Sequence, residues 1–399
     1  MKQIYLKHGK EDSLLRFHPW IFSGAIHHAD DNINDGETVR VVSSKGTFLA
    51  IGHYQMGSIA VRVLSFRDVD IDNRFWFARL ESAYQLRLAL GLANPPQNDT
   101  YRLVHGEGDH LPGLIIDIYG KTAVMQAHSV GMHMARKIIA QQLKEVMQDQ
   151  LENVYYKSET TLPFLEPENG FLLGGSEENI GTENGLHFRV DWLRGQKTGF
   201  FVDQRENRSL LEHYANGRKV LNMFCYTGGF SVYAMRGNAK LVHSVDSSAK
   251  AIELTRDNIS LNFSDDSRHK AFCEDAFKYL DSIDQNKGEA SESSYSYDLI
   301  ILDPPAFAKH RGALHNALKG YTRLNQKAFE KIEAGGILFT FSCSQVVTKD
   351  NFRNAVFTAA ALARRKVRIL HQLHQPADHP INIYHPEGEY LKGLVLYVE

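Results

Sequence analysis

The clearest ordering of apolar and polar positions runs from residue 219 to 246, KVLNMFCYTGGFSVYAMRGNAKLVHSVD. An apolar run at 220–224, of the length of a buried parallel strand, is followed by Gly228-Gly229 as a tight turn and by a helix expected to begin near Phe230. A second apolar run then ends in Asp246. Strand, turn, helix, strand and terminal acid make up half of a nucleotide-binding α/β fold. In open α/β sheets ligands sit beyond the carboxyl ends of the strands. Residues 225–229 are therefore expected to face a cofactor, and Asp246, roughly 20 residues on, to accept hydrogen bonds from both hydroxyls of a ribose.

The alternation continues downstream. Ser247-Ser248 can cap a helix reaching about Leu261, and a strand is expected over 269–273 with Asp275 beyond its end, where a group contacting adenine would lie. A polar, serine-rich loop at 287–297 precedes a buried strand at 298–302, which ends in Asp303-Pro304-Pro305-Ala306-Phe307. A helix over 321–332, a Gly335-Gly336 turn and a strand at 337–341 lead to Ser342-Cys343-Ser344. A helix at 350–362 and strands at 367–373 and 391–398 complete a pattern of seven strands, that of a Rossmann-like class I methyltransferase.

Upstream the pattern is different. Short β-like segments at 3–6, 38–42, 48–53 and 59–64, with glycine turns between them, predict a small barrel over 1–70. Within it, FHPWIFSGAI at 17–26 reads either as an aromatic plug or as a surface for stacking nucleotides. Residues 72–91 read as an amphipathic helix with Phe75, Leu80, Tyr84 and Leu88 among its apolar positions. A segment at 101–106, a turn at 110–114, strands at 115–119 and 123–128 and a helix at 132–147 make a middle α+β domain over 71–183, with 165–183 as a connector. Its acids Glu107, Asp109 and Asp117 could form a site, though acids at turns and strand ends are commoner. The third domain is expected over 184–399. It opens with a hairpin (187–191 with 199–202) leading into Asp203-Gln204-Arg205-Glu206-Asn207-Arg208, which reads either as a lid over the cofactor or as a solvated helix start.

Composition narrows the function. The 399 residues carry 45 lysines and arginines against 47 acids, a net charge of -2, so no overall basic field marks a nucleic-acid binder. RNA contacts would have to come from local clusters such as Lys309-His310-Arg311, Lys319 with Arg323, or Arg364-Arg365-Lys366, and such clusters are usually solvated surface. Three cysteines without a C-x-x-C pair indicate neither disulfides nor a metal site. With no leader and no apolar run long enough to cross a membrane, a reducing cytoplasm is the expected location.

The turn departs from G-x-G-x-x-G, because Tyr226 and Thr227 stand where a dinucleotide needs bare backbone. S-adenosylmethionine (SAM), with a ribose and no phosphate, fits better than NAD. The candidate cofactor contacts are Gln204, Arg205, Phe224, Tyr226, Thr227, Gly228, Asp246, Asp275 and Asp303. Chemistry is expected at Cys343 and Asp303, which end neighbouring strands. Carbon 5 of cytosine is a poor nucleophile until a thiolate adds to carbon 6, and Cys343 can be that thiolate. Asp303 can then hydrogen-bond to, or share a proton with, the ring nitrogen of the adduct. The bland alternative makes Cys343 a small residue closing a buried strand. Cys225 fits packing in the turn, and Cys273 reads as core.

Taken together, VLNMFCYTGGFSVYA, TGFFVDQRENR, DLIILDPPAF, GGILFTFSCS and the tail ADHP…YHPEGEYLKG resemble the RlmI family of large-subunit ribosomal RNA 5-methylcytosine methyltransferases, over essentially the whole chain. HPWIFSGAI resembles that family's PUA domain, a small RNA-binding barrel. The resemblance implies that Gln204, Arg205, 226–228, Asp246 and Asp275 bind SAM, that Cys343 is the nucleophile, and that ribosomal RNA is the partner; a homodimer is left open. Many RNA 5-methylcytosine enzymes carry a second cysteine where this chain has Pro305 and Ala306. A related family making 7-methylguanine shares the Asp-Pro-Pro loop and lacks the cysteine at 343. Two rivals remain, a methyltransferase for another atom or base and a non-catalytic ribosome-assembly factor.

Overall fold

The computed structural model describes residues 1–264, 266–283 and 296–399. They form two compact units. The first comprises Met1–Gly185, Val190–Asp203 and Ala377–Gly388; the second comprises Leu186–Arg189, Gln204–Pro376 and Glu389–Glu399.

The first unit holds two sheets. One has six strands, among them Gln3–Leu6, Thr38–Val42, Phe48–Tyr54 and Ile59–Ser65. Alternate residues turn Ile4, Leu6, Val39, Val41, Val61 and Val63 into one core. Of the aromatic stretch Ile21 is buried in that core with Ala25 and Ile26 packed against it, while Phe17 and Phe22 are 47% and 48% exposed, so the aromatic rings do not form a plug.

The other sheet has five strands in the order Gly170–Leu173, Asn153–Tyr156, Thr122–Ala127, Leu114–Tyr119, Thr100–His105. The stretch expected to be a bare connector thus contributes a strand. Helices Asn73–Ala89 and Val130–Met147 pack with this sheet in one core. Asp72 caps the first helix by accepting from the Phe75 amide. The buried seam of that helix is Trp76, Leu80, Ala83 and Arg87, whereas Leu88 is exposed. Burial of Arg87 hid the seam from a hydrophobicity pattern. Its guanidinium grips both oxygens of Asp109 and donates to the Asp378 carbonyl at 2.8 Å. Asp117 is likewise held by Arg102 and by the Thr198 hydroxyl, and Glu107 accepts from the Trp20 indole at 2.7 Å. The three acids are structural partners.

The second unit is built on a seven-stranded sheet. Its strands are β1 (Lys219–Met223), β2 (Leu241–Asp246), β3 (His269–Cys273), β4 (Tyr297–Leu302), β5 (Ile332–Ser342), β6 (Val367–His374) and β7 (Lys392–Val398), arranged β3-β2-β1-β4-β5-β7-β6. The first five are parallel, and β7 lies antiparallel between β5 and β6. This is the Rossmann-like architecture expected. The helices are α1 (Arg205–Ala215), α2 (Gly229–Arg236), α3 (Ala249–Asn262), α4 (Ala276–Ser282), α5 (Leu314–Lys331) and α6 (Lys349–Leu362). Central strands buried on both faces read as unbroken apolar runs, which is why Leu299, Ile300, Ile301 and Leu302 are all inaccessible to solvent.

One expectation fails at an edge. Leu186–Arg189 is a strand, but residues 199–201 are not, and Val202–Gln204 form a short 3-10 helix, so no hairpin joins them. Gly199, at φ +114, sits where an added Cβ would meet the backbone of Trp192 at 2.7 Å, which explains an irregular path in place of a strand. The serine-rich loop expected over 287–297 lies outside the described residues as far as 295, and Tyr297 already belongs to β4. Among the described residues no helix is long and apolar enough to cross a membrane, and no group of three or more His, Cys, Asp or Glu side chains is arranged to hold a metal.

Candidate active site

The site starts at the turn after β1. Phe224 (φ 57), Tyr226 (φ 48) and Gly228 (φ 79) are all left-handed, and two of them are not glycine. Such residues persist only where their surroundings over-determine them, and they concentrate at ligand sites. Here the fixing contacts come from β2 and α3. The Tyr226 amide donates to Asp246 Oδ2 at 3.0 Å, and the Cys225 amide to the Val245 carbonyl at 3.1 Å. Thr255 Oγ1 and Asn258 Nδ2 donate to the carbonyls of Tyr226 and Thr227. Gly228 has no substitute, because a Cβ there would lie 2.7 Å from the Thr255 methyl.

Asp246 is thereby fixed. One oxygen accepts from Tyr226 and the other from the Ser248 amide at 2.9 Å. A carboxylate oxygen has two lone-pair directions, so each keeps capacity for a further donor such as a sugar hydroxyl. Asp275 caps α4, with one oxygen accepting from the amides of Phe277 and Lys278. Both acids stand at the carboxyl ends of adjacent strands, β2 and β3, where this kind of sheet receives its ligands.

The 204–208 stretch is not a solvated helix start, since Gln204, Arg205, Asn207 and Arg208 are all buried. Asn207 Nδ2 donates to Gln204 Oε1 at 2.6 Å, and Gln204 Nε2 donates to Asp303 Oδ2 at 3.1 Å. The side chain of Arg208 lies against Gly229 at the head of α2. The start of α1 is therefore tied to the loop after β4.

Register places Asp303 and Cys343 at one edge of the sheet. Met223 pairs with Leu302, and Leu302 with Thr340, so β1, β4 and β5 reach the same edge of the sheet. Asp303 is the first residue past β4, and Cys343 the first past β5. Their loops are joined, because Ser344 Oγ donates to the Ala308 carbonyl at 2.5 Å while Ser342 Oγ donates to the Tyr321 hydroxyl at 2.9 Å. Cys343 is partly accessible. Cys225 is buried, and burial pushes its thiol far above the ordinary cysteine range, which leaves it inert. Cys273 is exposed, contrary to the expectation of a core position. As the last residue of the edge strand β3 it lacks a neighbour on one side and lies three strands from β4.

Sequence reasoning missed the polar support beneath this edge. Asn222 Nδ2 donates to Ser231 Oγ (2.9 Å), which is 2.6 Å from Ser244 Oγ, itself 2.8 Å from His269 Nε2. The chain links β1, α2, β2 and β3. Its only trace in the sequence is a polar residue inside each apolar run.

With the geometry in place, comparison with known proteins is informative. The family model for S-adenosylmethionine-dependent methyltransferases matches residues 171–383, and that for a PUA-like domain matches residues 4–66. "Ribosomal RNA large subunit methyltransferase I" of Erwinia tasmaniensis is 39% identical over 99% of both chains, and that of Aeromonas hydrophila is 40% identical over 98% of both. The chain belongs to the family of ribosomal RNA large subunit methyltransferases I. Solved structures share the fold over their full lengths: a SAM-dependent methyltransferase from Streptococcus mutans (TM-score 0.83, 23% identity) and SMU.776, a methyltransferase complexed with SAH (TM-score 0.84, 24% identity). The N-terminal sheet is PUA-like and the cofactor is SAM. The residues at the sheet edge fit that cofactor. Asp246 offers acceptors for a ribose, and the Tyr226-Thr227 turn leaves no row of bare glycine amides for a pyrophosphate.

Proposed function

We propose that this chain methylates carbon 5 of a cytosine in large-subunit ribosomal RNA, in the cytoplasm. The observation that carries the reading is a partly accessible thiol, Cys343, and a carboxylate, Asp303, just past the ends of neighbouring parallel strands, with their loops joined by Ser344. Phe224, Tyr226, Thr227, Gly228, Asp246 and Asp275 hold SAM, with Gln204 and Arg205 at its other end; bound SAM supplies an electrophilic methyl group. Cys343 Sγ adds to carbon 6 of the ring, which makes carbon 5 electron-rich. Asp303, oriented by Gln204, stabilises the ring nitrogen of the adduct. Lys309, His310 and Arg311 are exposed a few residues beyond Asp303 and offer phosphate contacts beside the target base, and the PUA-like sheet offers a second RNA surface. The names of the curated relatives support ribosomal RNA as the substrate.

The test is nucleoside mass spectrometry of large-subunit RNA from cells lacking the protein, after incubation with the protein and methyl-labelled SAM. Label is expected in 5-methylcytidine; label in methylguanosine would replace this reading with the guanine-N7 alternative, and SAM binding without transfer to any RNA would support an assembly factor.

A second expectation concerns Asp246. In Asp246→Ala, SAM affinity should fall about 10-fold or more, since hydrogen bonds to a charged group contribute roughly 1.5–3 kcal/mol. Titration calorimetry reads this directly. Unchanged affinity in a folded variant would place the ribose elsewhere.

A further inference from the structure

Lysine is seldom fully buried, yet Lys392 is only 7% exposed. It stands on β7 directly opposite Ser342 of β5, the residue before Cys343. Its ammonium donates to the carbonyls of Ser344 (2.6 Å) and Val347 (2.7 Å), and so closes the turn that follows the cysteine. Two bonds use two of its three donors. Two carbonyls could be satisfied by a neutral amide or a water, so a buried charge, expensive to desolvate, calls for a further reason.

We propose that Lys392 is a positioning residue for Cys343: it fixes the turn carrying the thiol and supplies the positive charge that keeps the sulfur as thiolate. The proposal rests on the reading of Cys343 as nucleophile. In the step concerned the S–H bond breaks, the proton leaves to water, and the resulting thiolate lies within electrostatic reach of an ammonium that stays mostly protonated at neutral pH.

The charged and titratable groups around the pair support this assignment. From α6 comes Lys349, which is ion-paired with Glu389 in the segment before β7, so the two largely cancel. From α5 comes Tyr321, whose hydroxyl is pushed up to about 12 by burial and stays neutral near pH 7. Asp303, at the end of β4, lies within electrostatic reach of Tyr321 and adds negative charge, which opposes thiolate formation. From β6 comes His374, paired directly with Lys392, whose ring Nδ1 lies 2.7 Å from the Gln375 carbonyl. Lys392 carries the buried compensating charge. Burial lowers its own proton affinity to about 8, with the Cys343 sulfur pulling the other way, so it is mostly protonated at neutral pH and loses that charge on going alkaline.

The test follows iodoacetamide alkylation of each cysteine by peptide mass spectrometry across pH 5.5–9.5, in the full-length protein without RNA. Exposed Cys273 serves as the internal control, and buried Cys225 should remain silent. In the unmodified protein Cys343 should titrate below Cys273 by roughly one pH unit, the scale on which a neighbouring cation lowers a thiol. Lys392→Met should raise that midpoint by about one unit, slowing Cys343 alkylation roughly 10-fold at pH 7 and leaving Cys273 unchanged. Lys392→Arg, which keeps the charge, should restore the low midpoint. A Lys392→Met profile that coincides with wild type in a folded protein would overturn the proposal. If the variant does not fold, the unmodified protein still decides, because a Cys343 midpoint at or above that of Cys273 refutes a thiolate-stabilising lysine. Alkylation needs no methyl transfer, so this outcome is separable from the catalytic reading: Cys343 could trap RNA and show no dependence on Lys392, or show the dependence and trap nothing.

Discussion

Cys343→Ala is expected to abolish methyl transfer to RNA and, with it, covalent capture of RNA carrying fluorine at carbon 5 of the target cytosine. The Sγ–C6 bond is released only when carbon 5, once methylated, gives up its hydrogen as a proton and the ring double bond re-forms. Fluorine cannot leave in that way, so the adduct persists and is seen as a slower band on a denaturing gel. Cys225→Ala should retain capture, because its thiol is buried and held protonated. Cys273→Ala should retain it as well, because that thiol ends β3, three strands away from β4. Methylation of a ring nitrogen or an amino group needs no covalent step, so a fully active Cys343→Ala protein would refute the thiolate route.

Asp303→Asn should lower kcat by roughly 10²–10³-fold, the usual scale for removing one group that acts on charge developing in the transition state. The substitution is conservative in shape. An asparagine oxygen can still accept from Gln204, so the loop should keep its place. What is lost is the charge and the ability to exchange a proton with the ring nitrogen, which matter most after the sulfur has added. Single-turnover rates measured beside RNA affinity separate the effects: a loss confined to affinity would make Asp303 a docking residue.

Much of the second unit could be read from the chain, for a physical reason. Strands buried on both faces are largely apolar and stop at turns that need glycine or an acid, so β1, β2 and β4 and the positions of Asp246 and Asp303 announce themselves. Features that depend on pairing between distant segments did not. Lys392 is a lysine at the start of a strand until β7 is laid beside β5. Arg87 looks like the polar side of a helix until Asp109 and Asp378 surround it. Cys273 reads as an apolar residue by type, and only the strand order places it at an open edge. The expected 199–202 strand failed because Gly199 is held in a backbone conformation that alternation cannot report.

The grip of Arg87 on the Asp378 carbonyl spans 291 residues of chain, and Ala377–Gly388 belongs to the first unit although the strands on either side of it, β6 and β7, belong to the second. During synthesis the ribosome delivers the chain at about 5–20 residues per second, and domains usually fold as they emerge. Here the earlier-made unit must wait with Arg87 and Asp109 unsealed while nearly all of the other is being made. Its completion is therefore late, and a nascent chain stopped before residue 377 would hold an N-terminal portion that is collapsed and incomplete, the kind of species that chaperones retain.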